Sequence, residues 1–183
     1  MLQPQNITEF YITNYVNEND TVIDATMGNG HDTLKLALKV GTGGKVYSFD
    51  VQNMAIENTK KLLLENNISN VDLILDSHSN LDKYVTTPVK CVVFNLGYLP
   101  GGDHKMQTKK ETTISAIEKS LAVLDDKGFV SVTVYYGKNS GTEEKEAVME
   151  YFKALDHKKY TALVYDFFNR PNNPPITVII TKN

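Results

Sequence analysis

Val22-Ile23-Asp24-Ala25-Thr26-Met27-Gly28-Asn29-Gly30-His31-Asp32-Thr33 is the stretch that decides the fold. A short apolar run ends in an acid, passes through Gly-x-Gly, and enters the helical pattern Leu34-Lys35-Leu36-Ala37-Leu38. A strand, a tight turn and a helix N-terminus in that order make the opening unit of a nucleotide-cofactor site. Gly28 and Gly30 let the backbone approach a ligand closely. A dinucleotide fingerprint would place a third glycine at position 33, for tight helix packing near a pyrophosphate; here the residue is Thr33. Asp24 would repel a pyrophosphate and suits an ammonium group. S-adenosylmethionine carries an ammonium and a sulfonium and no phosphate, so the turn fits it better than NAD. Gly-x-Gly alone also occurs in turns that bind nothing.

A second acid, Asp50, closes the next apolar run about 20 residues beyond the glycines, the interval at which a ribose-binding carboxylate is expected. Gln52 follows it. Asp76-Ser77-His78 ends the third run. Asp76 there either accepts from an adenine amino group or caps the helix that follows. Asn95-Leu96-Gly97-Tyr98-Leu99-Pro100 ends the fourth. In an open parallel sheet, ligands bind beyond the carboxyl ends of the strands where the connections diverge. The first and fourth strands flank that point, so Asn95 is placed to meet a reacting group, with backbone from Leu96 and Gly97.

Apolar periodicity extends this unit along the whole chain. Helices are predicted over 6–16 (Ile7, Phe10, Tyr11, Asn14 and Tyr15 on one face), 31–40, 53–66 (Ile56, Leu62, Leu63, Leu64 inward), 108–124 and 143–155. Strands are predicted over 21–24, 46–50, 71–75, 89–95, 129–135, 160–168 and 176–181. Asp125-Asp126-Lys127-Gly128 reads as the turn into the fifth strand. The alternation predicts an α/β fold: a seven-stranded, mostly parallel sheet with helices on both faces. Only residues 169–175 join the last two strands, whereas a parallel crossover needs about a dozen or more. The last strand is therefore expected to run antiparallel. Residues 1–183 read as a single domain.

With 41% apolar and 22% charged residues the chain is globular. It shows no membrane-length apolar run and no signal peptide. The single cysteine, Cys91, lies in an apolar run and reads as a small buried hydrophobe. A cytosolic protein is expected. The four histidines share no tight metal-ligand spacing, so no metal is expected; His31 and Asp32 read as capping the helix and lining the pocket. The hydrolase elbow G-x-S-x-G is absent. The formal net charge of −3 is not that of a bulk nucleic-acid binder. RNA contact would need a local patch.

The motif set resembles the class I S-adenosylmethionine-dependent methyltransferases, with a Rossmann-like fold, over essentially the whole chain. It is similar in more detail to one small family labelled rRNA methylases. The residues carrying this are Asp24 to Thr33, Phe94-Asn95-Leu96-Gly97-Tyr98-Leu99-Pro100-Gly101-Gly102-Asp103, Tyr135-Tyr136-Gly137-Lys138-Asn139-Ser140-Gly141 and Asn172-Asn173-Pro174-Pro175. The resemblance implies S-adenosyl-L-methionine as cofactor and, as substrate, the 5-aminomethyl-2-thiouridine at the wobble position of tRNA. It maps the cofactor onto Asp24, Met27, Gly28, Asn29, Gly30, His31, Asp32, Asp50, Gln52, Asp76, Ser77, His78 and Asn95. Asn-Pro-Pro-Tyr, frequent in amino-group methyltransferases of DNA, is replaced here by Asn95-Leu96-Gly97-Tyr98.

In-line transfer to a primary amine needs that amine neutral, aligned, and beside a proton acceptor. Asn95 is the residue expected to orient it, with Asp32, His31 or His104 as acceptor. Leu96, Gly97, Tyr98, Lys105, Tyr136 and Arg170 are the expected contacts to the tRNA anticodon stem-loop, Tyr98 and Tyr136 by stacking on a splayed base. A homodimer would add a second surface to grip RNA. Methylation of rRNA or of a small amine uses the same cofactor site, and an NAD-dependent oxidoreductase is the rival disfavoured by Thr33 and Asp24.

Overall fold

The computed structural model describes residues 3–97, 108–137 and 141–183. Its centre is a seven-stranded sheet: β1 (Thr21–Asp24), β2 (Lys45–Asp50), β3 (Val71–Leu75), β4 (Val89–Leu96), β5 (Leu124–Val134), β6 (Tyr160–Tyr165) and β7 (Ile176–Lys182). The order is β3-β2-β1-β4-β5-β7-β6. The first five are parallel, while β7 runs antiparallel to both β5 and β6. The chain leaves β1 toward β2 and leaves β4 toward β5, so the connections diverge between β1 and β4, as expected.

Five α-helices among the described residues cover the sheet: α1 (Pro4–Tyr15), α2 (His31–Val40), α3 (Asn53–Glu65), α4 (Lys110–Val123) and α5 (Thr142–Lys153). Alternate strand residues feed two separate cores. Ile23, Val92, Phe94, Val130 and Val132 pack with Ala116, Ile117, Val148 and Phe152 on one face. Val22, Cys91, Val93, Phe129 and Ile179 pack with Tyr11, Ile12, Leu36 and Val40 on the other. Burial on both faces explains the near-continuous apolar runs in β1 and β4. No helix among the described residues is long and apolar enough to cross a membrane.

Three local expectations are corrected. α1 begins at Pro4, whose missing N–H costs nothing at a first helical position, and Gln3 N–H donates to Asn6 Oδ1 at 2.7 Å. Its buried face is Pro4, Thr8, Tyr11 and Ile12, with Ile7 partly buried against the core; of the expected stripe Ile7 and Tyr11 face inward, while Phe10, Asn14 and Tyr15 are exposed. The helix docks by polar as well as apolar contacts, the Thr8 hydroxyl meeting Ser131 Oγ at 2.8 Å, and Phe10 and Tyr15 are left to pack their rings on Tyr11 from outside. α3 buries Ala55, Thr59 and Leu63 and exposes Leu64. Residues 125–127 are an irregular, exposed excursion inside β5 and Gly128 is already buried: Leu124 pairs with Val89, the register shifts, and Lys127 takes φ 61°.

Candidate active site

Four strands deliver acids and an amide to the carboxyl edge of the sheet: Asp24, Asp50, Asp76 and Asn95. Asp24 is fully buried. Its Oδ2 accepts from Thr33 Oγ1 at 2.6 Å and its Oδ1 from the Thr26 N–H at 3.1 Å. Since the Thr33 hydroxyl donates to Asp24, the Ser48 hydroxyl, 2.7 Å away, donates to Thr33. Burial pushes the Asp24 carboxyl up to about 7; Asp32 and more weakly Asp50 add to the rise, while the Thr33 and Thr26 bonds oppose it.

The turn itself is over-determined. Gly28 and Gly30 take φ 54° and 79°, where other L-residues are strained. A Cβ on Gly30 would lie 2.6 Å from Thr59 Oγ1. The helix contact that a third glycine was expected to serve is thus made at Gly30 against α3, and Thr33 is free to hold Asp24. Asp50 ties the turn to β2: its Oδ2 accepts from Gly28 N–H at 3.0 Å and its Oδ1 from Gln52 N–H at 2.9 Å. Asn29 Oδ1 accepts from Asn58 at 3.1 Å, and Met27 is buried with its N–H donating to Phe49 O. α2 is capped by Gly30 in a left-handed conformation with no side-chain cap, which corrects the reading of His31 and Asp32 as caps. His31 is exposed at the first position of the helix.

Asn95 is held at both ends. Its N–H donates to Thr26 Oγ1 at 2.7 Å and its Nδ2 to Asp32 Oδ2 at 2.8 Å. The amide orientation is therefore fixed, with Oδ1 as its acceptor. Asp32 also pairs with Lys35 at 3.5 Å. The Leu96 carbonyl already accepts from Tyr135 N–H at 3.2 Å, keeping one lone pair.

Asp76 turns its carboxylate onto its own loop. It accepts from Asn80, Ser77 N–H and the Tyr84 hydroxyl. The Asn80 bond leads in holding it below the usual carboxylate range, with Tyr84 and Ser77 adding. Ser77 caps the short 3-10 helix His78–Lys83 through Ser79 N–H. His78 is buried against Phe94, with Nδ1 3.0 Å from Ala25 O. A carbonyl only accepts, so Nδ1 carries the proton and Nε2 is a buried lone pair without a partner among the described residues. Burial lowers its pKa.

Among the expected RNA contacts, Tyr98 and Lys105 lie outside the described residues, as does His104. Tyr136 carries the Lys145 ammonium 3.7 Å over its ring, and the Arg170 guanidinium lies 3.8 Å over Phe167. No three metal-binding side chains gather among the described residues.

Sequence reasoning missed a polar clasp behind the fourth strand. Gly97 N–H donates to Thr108 Oγ1 at 3.0 Å, and Thr108 N–H returns to Gly97 O at 3.0 Å. The Thr108 and Thr113 hydroxyls both donate to the buried Glu144, each at 2.7 Å. An acid in the first turn of α5 signals only a favourable helix dipole in sequence; its partners lie 31 and 36 residues away.

The donor set fits a cationic ligand. Among the described residues Lys35 is the only cation paired with Asp24, Asp32 or Asp50, and an acid raised by burial beside two further carboxylates favours an added positive charge.

Comparison with known proteins gives the same edge a lineage. The family described as "Putative rRNA methylase" matches residues 46–181. A curated relative, the chloroplastic tRNA (mnm5s2U34)-methyltransferase of Arabidopsis thaliana, is 37% identical over 178 residues, 91% of this chain. The chain spans 65% of that relative's length. The crystal structure of the "putative rRNA-methylase" of Clostridium thermocellum is 48% identical, covers 100% of this chain and 99% of its own, and superposes with a TM-score of 0.98. A "putative methyltransferase" from Streptococcus mutans, solved in complex with SAH, is 40% identical, with coverage of 100% and 99% and a TM-score of 0.92.

Proposed function

The chain belongs to the family described as "Putative rRNA methylase", and from that membership we propose that it is an S-adenosylmethionine-dependent N-methyltransferase converting 5-aminomethyl-2-thiouridine at the tRNA wobble position to 5-methylaminomethyl-2-thiouridine. The observation that carries the reading is the buried Asp24, whose carboxyl is raised to about 7 beside Asp32 and Asp50. A site that gathers three acids around one paired lysine, Lys35, suits a donor bearing an ammonium and a sulfonium. The Streptococcus mutans relative was solved with SAH. The name of the Arabidopsis relative supports the choice of tRNA.

S-adenosylmethionine, when bound, supplies an electrophilic methyl group on sulfur. Everything else falls to the chain. Asp24 is a positioning residue: it fixes Thr33 and the Thr26 N–H and so shapes the turn Met27-Gly28-Asn29-Gly30. Asp50 and Gln52 receive the ribose hydroxyls. Asp76, Ser77 and His78 frame the adenine. Asn95, its Nδ2 held by Asp32, presents Oδ1 to an N–H of the substrate amine and aims the nitrogen lone pair. As the C–N bond forms and the S–C pair returns to sulfur, the nitrogen releases a proton to Asp32, directly or through water, or to the exposed His31. Leu96 and Gly97 supply backbone contacts. Tyr98, Lys105, Tyr136 and Arg170 meet the anticodon stem-loop. The reaction is placed in the cytosol, with a homodimer widening the RNA surface.

The test offers purified protein a labelled methyl donor with tRNA carrying the aminomethyl-thiolated wobble uridine and with tRNA lacking it. Transfer to the first alone is expected. Transfer to rRNA or to a free amine instead overturns the tRNA assignment, and no calorimetric heat from S-adenosylhomocysteine overturns the cofactor.

A further inference from the structure

The connection between β6 and β7, residues 166–175, projects from the same sheet edge as Asn95. Leu96 pairs with Val134, Val134 with Ile176, and Thr177 with Tyr165. At about 4.8 Å between neighbouring strands, the loop leaves the sheet roughly 10–15 Å from the end of β4. Its tip carries Phe168, 103% exposed and the most exposed large apolar side chain among the described residues. The neighbouring Phe167 is half-buried and already carries Arg170 on its ring.

The loop is stiff. Arg170 N–H closes a turn on Phe167 O at 3.1 Å, Asn172 and Asn173 sit at φ 67° and 50°, and Pro171, Pro174 and Pro175 restrict the rest. Ordering it on binding therefore costs little. The chemistry around the ring selects the occupant. With Phe167 covered by Arg170, Phe168 presents the loop's one fully exposed ring, among Asn169, Arg170, Asn172 and Asn173, with Asp166 the one acid at the loop's start. A protein partner would want a contiguous apolar patch. One π-face beside a guanidinium and several amides matches an unpaired base and its phosphate.

We propose that Phe168 is a stacking platform for an unpaired base of the substrate RNA, with Arg170, braced on Phe167, meeting the adjoining phosphate. This rests on the tRNA reading above and names a contact within it. A nucleotide held at Asn95 and a base on Phe168 then belong to one short single-stranded segment, which anchors the anticodon loop at two points.

The protein contains no tryptophan, so Phe168→Trp installs a lone fluorophore at the site. The experiment titrates wild type, F168A and F168W with an anticodon stem-loop RNA and with a blunt RNA duplex of equal length, and measures S-adenosylhomocysteine affinity in parallel. F168A is expected to bind the stem-loop about 5- to 150-fold more weakly, the range for losing one base–aromatic stack, with cofactor affinity unchanged. F168W is expected to bind like wild type, its emission quenched by the stem-loop and not by the duplex. F168A binding within twofold of wild type, an unquenched tryptophan in a complex that forms, or equal losses on stem-loop and duplex each overturns the proposal. Wild type that methylates tRNA alongside an unimpaired F168A removes the platform and leaves the function standing. Wild type that neither binds nor methylates tRNA removes both.

Discussion

Asp24 costs the free protein stability. Its folded-state carboxyl sits at about 7 against an ordinary 3.8, so between those values the native chain holds a proton that the unfolded chain has released. Stability tied to Asp24 is full below about pH 4 and is lost as pH rises through about 7. Asp24→Asn keeps the shape and removes the charge. The variant is expected to be more stable than wild type at pH 8, by on the order of 2–4 kcal/mol, and to show no such gain at pH 4. It should also bind S-adenosylmethionine at least about tenfold more weakly, since a cation that partly neutralises the site is what makes the ionised acid tolerable. Thermal midpoints at the two pH values, with calorimetry for the donor, check both halves. Identical pH profiles for the two proteins would take Asp24 out of this account.

The clasp joining β4, α4 and α5 argues the same way for whole elements. Glu144 satisfies the hydroxyls of Thr108 and Thr113, and Thr108 in turn grips Gly97 at the end of the strand that carries Asn95. Glu144→Ala strands two hydroxyls, a loss of about 1–3 kcal/mol, or roughly 5 °C in midpoint for a chain of this size. Its effect on turnover should be selective: KM for tRNA rises while S-adenosylhomocysteine affinity holds, and Glu144→Gln, which keeps one acceptor, recovers part of both losses. A variant with raised cofactor Kd and unchanged tRNA KM would show that the clasp serves the other end of the site. Why this device was illegible in the sequence is clear from its parts. Strand-turn-helix units such as 21–40 declare themselves because apolar period, acid and glycine are contiguous. Glu144 and Thr108 are ordinary residues until the fold brings them together. Likewise the stripe of α1 named Ile7 and Tyr11, which pack inward, together with Phe10 and Tyr15, which do not; the helix also docks through Thr8 on Ser131, a polar contact that periodicity of apolar residues does not register. Thr33 was legible only as a missing glycine; its bond to Asp24 depended on knowing that Gly30 meets Thr59.

On the scale of the molecule, the antiparallel β7 was legible because seven residues are too few for a crossover, and its insertion between β5 and β6 is what carries the 166–175 loop to the reactive edge. The charge of the whole chain then limits how RNA is held. The net charge is −3 and Arg170 is the one arginine. Many lysines are already engaged: Lys110 with Glu143 and Glu111, Lys119 with Asp82, Lys45 with Asp72, Lys153 with Glu150, Lys182 with Asp126. At a net charge of −3 the field of the whole chain does not favour a polyanion, so affinity must come from stacking, shape and the fit of the reacting nucleotide. With about two to four phosphates neutralised on a single-stranded loop, log Kobs against log salt should fall with a slope of roughly −1.5 to −3. Arg170→Gln should flatten that slope by somewhat less than one, whereas Phe168→Ala should weaken binding at every salt concentration and leave the slope alone. A slope steeper than about −6 would mean a broad basic surface that this composition does not supply, and would return the stacking contacts to a minor role.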